Sequence, residues 1–304
     1  MIEIILLMDR YVIFDVDHTL IDGHSLFYFL TGLLPQETAD TFSIELPPCD
    51  SKDWVRFRRK LMVAYSYWVD EITRLEDSDH PLGIFRPGLF SVMRRLLDLQ
   101  KRGLITAVHL YSNNSYPPTL YFIRDVIHSA IGSDTLIHMT IDWTHPLRVK
   151  ERLIRLPDTY IGKSWETMRE ICEVSPHQVY YFDDLLHTDL SSVLGDQYYH
   201  VPKYEFRASF DRLIEIHRKI LIRTMVPLYQ YLQTIIHLFT TSHDKYEFNY
   251  RMSALENIYV LLKYKIGLTV SCSTLPQKEE GILRMEQCLD RIEQENRTIH
   301  TIGT

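Results

Sequence analysis

The stretch Tyr11-Val12-Ile13-Phe14-Asp15-Val16-Asp17-His18-Thr19-Leu20 sets four aromatic or β-branched residues directly before two carboxylates. A short apolar run of this kind fits a strand buried on both faces, as in the middle of a parallel sheet, and the acids mark its carboxyl end. Successive side chains on a strand alternate faces, so Asp15 and Asp17 point the same way if the chain stays extended. Two carboxylates held together require a cation. Hard oxygen donors suit Mg²⁺, which keeps several waters and binds through one or two carboxylates plus a substrate phosphate. One Asp of such a pair can attack phosphorus while the other moves a proton. A helix cap or an Asx turn accounts readily for one of the two acids and less well for both.

Outward from this stretch, similar runs recur at Thr106 to Tyr111, Leu136 to Ile141 and Val179 to Phe182, each ending in polar residues. Helical spacing fills the gaps, with Phe90, Met93, Leu96 and Leu97, then Leu120 to Ile131, then Trp165 to Cys172. Gly103 and Gly132 stand where helices should stop. The alternation predicts an α/β fold with a doubly wound parallel sheet. Two segments break it. Residues 24–85 show no convincing strand, and Trp54 to Leu75 has helical spacing with a basic cluster at Arg56, Arg58, Arg59 and Lys60; this predicts a helical, cap-like insertion after the first strand. Residues 204–304 carry apolar residues at helical intervals, among them Phe210, Leu213, Met285, Leu289 and Ile292, and predict a helical C-terminal extension that packs on the α/β body, on a second copy or on a partner.

Composition narrows the function. The chain has 304 residues and a formal net charge of -7, which argues against a generic nucleic-acid binder, although it leaves room for a local basic patch. The run Arg148, Lys150, Arg152 and Arg155 is such a patch, either steering an acidic partner or forming one solvated face. Four dispersed cysteines, Cys49, Cys172, Cys272 and Cys288, suit neither a zinc site nor a disulfide framework and point to a reducing, intracellular compartment, cytoplasm or nucleus. The first eight residues read as a strand or arm. Ile220 to Phe239 holds too many polar groups for a membrane span, so no membrane association is expected.

In sequence order, the acidic and polar stations resemble the haloacid-dehalogenase superfamily of phosphatases over about Tyr11 to Pro202. Phe14-Asp15-Val16-Asp17-His18-Thr19-Leu20 is similar to the family's Asp-x-Asp-x-Thr signature at the end of the first strand. The resemblance implies a nucleophile at Asp15 that forms an aspartyl-phosphate, a general acid and base at Asp17 whose carbonyl assists metal binding, and a bracing role for Thr19. It also implies phosphate-binding roles for Ser112 and Asn113, in His109-Leu110-Tyr111-Ser112-Asn113-Asn114, and for Lys163, with Lys150 as the alternative. The acidic pair Asp183-Asp184 after Val179-Tyr180-Tyr181-Phe182 corresponds to the last signature. Adjacent acids point in different directions, so one binds metal directly and the other acts through water or a neighbour; which does which stays open, and Asp189 is a third candidate. The implied metal set is Asp15, Asp17, Asp183 and Asp184, around Mg²⁺, on a Rossmannoid parallel sheet within residues 1–203.

Arg86-Pro87-Gly88 resembles the Arg-Pro-Gly of the phosphatases related to those acting on the RNA polymerase II carboxyl-terminal domain, the group also named after a nuclear-LIM-interactor interacting factor. Tyr111-Ser112-Asn113-Asn114 and Asp142-Trp143-Thr144-His145-Pro146-Leu147-Arg148 look like divergent members in large DNA viruses, including the nucleocapsid-assembly phosphatase of baculoviruses and nudiviruses; that resemblance implies a host nucleus or virion as the setting. The expectation is a Mg²⁺-dependent phosphomonoesterase acting on phosphoprotein. A scaffold that keeps the fold while its helices bind partners, and a nucleic-acid 3′-end phosphatase, are the alternatives.

Overall fold

A computed structural model describes residues 9–22, 52–79, 81–114, 117–154, 163–205, 210–226 and 275–302. The predicted arm at residues 1–8, the first half of the insertion and residues 227–274 of the tail lie outside the described residues. The chain divides into two units: Met1–Asp22, Phe85–Phe206 and Cys272–Thr304 form one, and Gly23–Ile84 with Arg207–Ser271 form the other.

The first unit is an α/β layer structure. Strands β1 (Tyr11–Phe14), β2 (Ala107–Tyr111), β3 (Ile137–Ile141), β4 (Val179–Asp183) and β5 (Tyr198–His200) form a five-stranded sheet in the order β3-β2-β1-β4-β5. All neighbours pair in parallel. The four strands expected from the sequence form within about a residue of their predicted bounds; β5 is too short to announce itself by pattern. Strand order reverses at β1, and in open α/β sheets the crevice outside the carboxyl ends at such a reversal is where ligands lodge. Register completes the placement. Phe14 pairs with Phe182, so Asp15 emerges beside Asp183.

Both sheet faces are covered, which is why the strands are apolar throughout. On one face Ile13, Tyr111, Ile141 and Tyr181 pack with Trp165, Met168 and Cys172 of the helix Trp165–Cys172 and with Leu190 and Leu194 of Thr188–Leu194. On the other, Phe14 stacks on Phe182 at 4.9 Å between ring centroids and Phe182 on Tyr199 at 4.8 Å. In chain order the described helices are α1 (Lys52–Glu76), α2 (Leu89–Lys101), α3 (Pro117–Ile131), α4 (Pro146–Ile154), α5 (Trp165–Cys172), α6 (Thr188–Leu194), α7 (Phe210–Arg223) and α8 (Leu275–Ile302). Gly103 and Gly132 close α2 and α3 with φ of 71° and 67°, the left-handed region that glycine enters at no steric cost.

The tail does not stay together as one extension over 204–304. Residues 207–271 group with the insertion, whereas α8 belongs to the α/β unit. The reason is its apolar stripe: Met285, Cys288, Leu289 and Ile292 are buried. Polar contacts fix its register, with Arg95 of α2 reaching Glu286 and Asp290, each at 2.5 Å, and Tyr180 of β4 donating to Glu295 at 2.8 Å. In the second unit, Trp68 of α1 meets His217 of α7 edge-on at 5.5 Å, and burial lowers the His217 pKa to about 4. No described helix is long and apolar enough to cross a membrane.

If α8 is part of the α/β core, truncating a stripe residue should be costly. Leu289→Ala is expected to destabilise the protein by about 2–5 kcal/mol, and Leu283→Ala, 56% exposed on the same helix, by no more than about 0.5 kcal/mol. Urea denaturation measures both, and equal small losses would remove α8 from the core.

Candidate active site

Asp15 extends β1 by one rung, its N–H donating to the Phe182 carbonyl at 2.8 Å. This fixes its carboxylate at the sheet edge, nearly buried. Lys163 arrives from the other side, just ahead of α5. Ser164 caps that helix by accepting the Thr167 N–H at 3.3 Å, and Asp189 accepts the Trp165 N–H at 2.7 Å, so Lys163 leaves a helix start that is held twice. Its ammonium donates to Asp15 Oδ1 and, at 2.8 Å, to Asp183 Oδ2. The rings of Tyr111 and Tyr181 lie 5.9 and 5.7 Å from the same nitrogen, within cation–π range. Asp183 also accepts the Tyr181 hydroxyl at 2.7 Å and the Leu185 N–H at 2.8 Å, and His187 Nε2 stands 3.3 Å away.

These contacts set the charge balance. Burial opposes ionisation of Asp183, but Lys163 and His187 overcome it and hold the carboxyl below the usual range. Asp15 goes the other way: burial raises its pKa well above the ordinary value, Lys163 counters only part of this, and Asp183 and Asp17 add to it. Burial and the Asp183 charge likewise raise Asp184. Lys163 is itself fully buried, yet Asp15 and Asp183 outweigh desolvation and raise its pKa. Three carboxylates against one ammonium leave the centre short of positive charge.

That deficit is where a metal fits. Carboxylate oxygens of Asp15, Asp183 and Asp184 lie within 4.8 Å of one another, all three residues buried, and make the one acidic group of this kind among the described residues. Such an all-oxygen donor set can hold a metal ion. Thr19 ties the two halves of the group, its hydroxyl donating to Asp15 Oδ2 at 3.0 Å and accepting the Asp184 N–H at 2.9 Å. A bracing role for Thr19 is what the family resemblance implies. Asp17 stands outside the group; its carboxylate accepts the Ser112 hydroxyl at 3.0 Å.

Ser112 follows β2 and is fully buried, its own N–H bound to the Ile141 carbonyl at 2.8 Å. Its hydroxyl also accepts the Asn114 N–H at 2.9 Å. Arg148 secures this turn. One guanidinium nitrogen donates to the Ser112 carbonyl at 2.6 Å and another to Asn113 Oδ1, while the group lies 4.6 Å from the Tyr111 ring centroid and 5.1 Å from that of Trp143. The Trp143 N–H donates to the Asn114 carbonyl at 3.1 Å, and Asp142 accepts the Thr144 N–H at 2.6 Å. The segment from Asp142 to Arg148 is thus a support for the Ser112 turn.

Several expectations change here. Arg148 is neither a steering charge nor part of a solvated face, because it is 2% exposed and spent on the turn; Arg152 and Arg155 have no described side chains. Lys150 is exposed, so Lys163 is the lysine at the centre. Asp189 caps α5 instead of joining the acids. His18 Nδ1 faces the Tyr204 carbonyl, which accepts from it at 3.1 Å. His18 also has φ of 63°, a conformation rare for residues other than glycine. Tyr181 read only as part of a predicted strand and His187 gave no sign in the sequence, while Arg148 stood at the end of a quoted motif and the start of a basic run with nothing to mark its place at this turn.

Comparison of the chain with protein-family models and with curated proteins finds no match.

The Lys163 ammonium should be what makes the carboxylate cluster tolerable. Without it, burial, Asp183 and Asp17 raise the Asp15 pKa unopposed, and Asp183 keeps only His187 against its own burial, so the pair shifts toward folded pKa values above the unfolded ones. Such groups favour the folded state below the unfolded carboxylate pKa of about 4 and oppose it as pH rises. Lys163→Met is expected to cost about 3–5 kcal/mol near neutral pH, shrinking toward about pH 4, in urea denaturation with a chelator present. A loss independent of pH would contradict this electrostatic assignment.

Proposed function

We propose that the chain is a Mg²⁺-dependent phosphomonoesterase of the haloacid-dehalogenase type, working through an aspartyl-phosphate on Asp15. The observation that carries this reading is the convergence of Asp15, Lys163, Asp183 and Asp184 at the carboxyl ends of β1 and β4, with the Asp17–Ser112 hydrogen bond beside them. Asp15, Asp183 and Asp184 would hold the magnesium ion, which neutralises phosphoryl charge when bound.

The chain's own groups divide the work as follows. An Asp15 oxygen attacks phosphorus and the bond from phosphorus to the leaving oxygen breaks, while Asp17, protonated, delivers its proton to that oxygen. Asp17, now a carboxylate, takes a proton from water as that water attacks the phosphorus of the acyl phosphate. Inorganic phosphate departs, and the Asp15 carboxylate and the Asp17 acid are restored. Lys163 keeps Asp15 aligned and offsets charge on the phosphoryl oxygens, and the Ser112 hydroxyl, which donates to Asp17, would be a further donor to that group.

A phosphoprotein is the substrate class this reading favours. Leu185 and Leu186, 46% and 65% exposed, directly follow the acidic pair and offer apolar contact to residues flanking a phosphorylated side chain. The resemblance to nucleocapsid-assembly phosphatases of large DNA viruses points the same way. The test is hydrolysis of a generic aryl phosphate. Activity should require Mg²⁺, disappear with a chelator, and fall by about three orders of magnitude or more in Asp15→Asn; parental turnover in that variant would dismiss Asp15 as nucleophile.

A further inference from the structure

We propose that α8 governs the geometry of the Asp15–Leu20 loop through a notch at Gly281 that seats the Arg86 guanidinium, which makes Arg86 a positioning residue for the site. The consequence for turnover rests on the phosphatase reading above; the geometry does not.

Arg86 is 1% exposed, and two of its guanidinium nitrogens donate to backbone carbonyls. Nε donates to the Thr19 carbonyl at 2.7 Å, and one terminal nitrogen donates to the carbonyls of His18 at 3.0 Å and Pro202 at 2.7 Å. Its own N–H donates to the Leu20 carbonyl at 2.8 Å. Tyr204 backs the guanidinium with its ring centroid 5.2 Å away and ties the same loop, its N–H donating to the His18 carbonyl at 2.7 Å. The loop needs this grip. His18 sits at φ 63°, and a side chain there persists only when surrounding contacts over-determine it. Asp17 and Thr19 flank it on either side, so a relaxed His18 would carry away both the Asp17 carboxylate and the Thr19 hydroxyl that holds Asp15.

The other end of the grip is on α8. A Cβ at Gly281 would fall 2.0 Å from a terminal nitrogen of Arg86 and 2.6 Å from its central carbon. An arginine tip usually swings aside from such an intrusion, but this one is pinned by three carbonyls and can move only by releasing them. Glycine inside a helix is otherwise unfavourable, so its place here is explained by the guanidinium it admits. The next residue adds to the hold: Ile282 lies 3.3 Å from where a Cβ of Gly88 would be, and Gly88 has φ of 87°. Arg86-Pro87-Gly88 is therefore seated against Gly281 and Ile282, and a helix nearly two hundred residues downstream in sequence sets the shape of the loop that carries the nucleophile.

The test compares Gly281→Ala with Leu283→Ala, a control on the exposed side of α8. Amide hydrogen exchange across Val16 to Ile21 and the pH–rate profile with aryl phosphate are measured in the full chain. Gly281→Ala is expected to speed exchange in that segment at least tenfold, lower kcat at least tenfold and change the shape of the profile, while Leu283→Ala matches the parent. A partly unfolded population would lower kcat without altering the profile's shape. Parental exchange and kcat in Gly281→Ala, with the raised Tm that an unobstructed glycine-to-alanine change in a helix brings, would overturn the inference. Should Gly281→Ala fail to fold, Arg86→Lys decides: it keeps the charge but loses the fork of donors, so faster exchange at Val16 to Ile21 supports the clamp and parental exchange overturns it. A parent without phosphatase activity would sink the proposed reaction, and the exchange arms would still judge the clamp.

Discussion

An ammonium group buried between two carboxylates is the constraint around which the rest of the α/β unit is arranged. Lys163 loses its hydration entirely, and removing a charge from water costs several kcal/mol even in a relaxed protein interior. It stays protonated because Asp15 and Asp183 each accept one of its protons and two tyrosine rings cover it. Those carboxylates are adjacent only because β1 and β4 pair in parallel with Phe14 opposite Phe182. A slip of one residue would turn one acid to the other sheet face. Sheet register and site electrostatics are therefore one problem, solved once.

Around this centre each loop is held by a group from elsewhere in the chain. Thr19 couples the loop after β1 to the loop after β4. Arg148, from α4, holds the turn after β2, and Asp189, from α6, caps the helix that presents Lys163. Arg86 holds the carbonyls of His18 and Thr19. Chemistry that depends on small displacements needs such support, since a reacting group misplaced by about 1 Å can cost about a hundredfold in rate. Two arginines, each a planar fork matched to carbonyl and amide oxygens, do this where a lysine could not.

Much of this was legible in the sequence, for identifiable reasons. Apolar runs ending in acids reveal buried parallel strands, because burial on both faces removes polar alternation, and the two acidic stations are visible for the same reason. Asp15, Asp17, Ser112, Lys163, Asp183 and Asp184 were all nameable in advance, Lys163 chiefly through family resemblance, since an isolated lysine resembles a surface one. What stayed hidden depends on tertiary partners. Arg148 reads as one charge in a basic run, yet Tyr111, Trp143 and the Ser112 turn bury it. Asp189 reads as a third acid beside a pair, yet a helix start three-dimensionally nearby claims it. Gly281 carries no signal in the sequence, and only the position of Arg86 explains it. The apolar stripe of α8 was visible, but helical spacing does not say which body receives it.

The central claim, that parallel register makes Asp15 a phosphoryl acceptor, is tested most directly by trapping. An acyl phosphate on an aspartate is reduced by borohydride to homoserine, a change that peptide mass spectrometry locates by residue. Protein quenched with borohydride during turnover of an aryl phosphate in Mg²⁺ is expected to carry homoserine at position 15, and to carry none when substrate or Mg²⁺ is withheld. Phosphate release with Asp15 unmodified, or with the modification at Asp17, Asp183 or Asp184, would contradict the account.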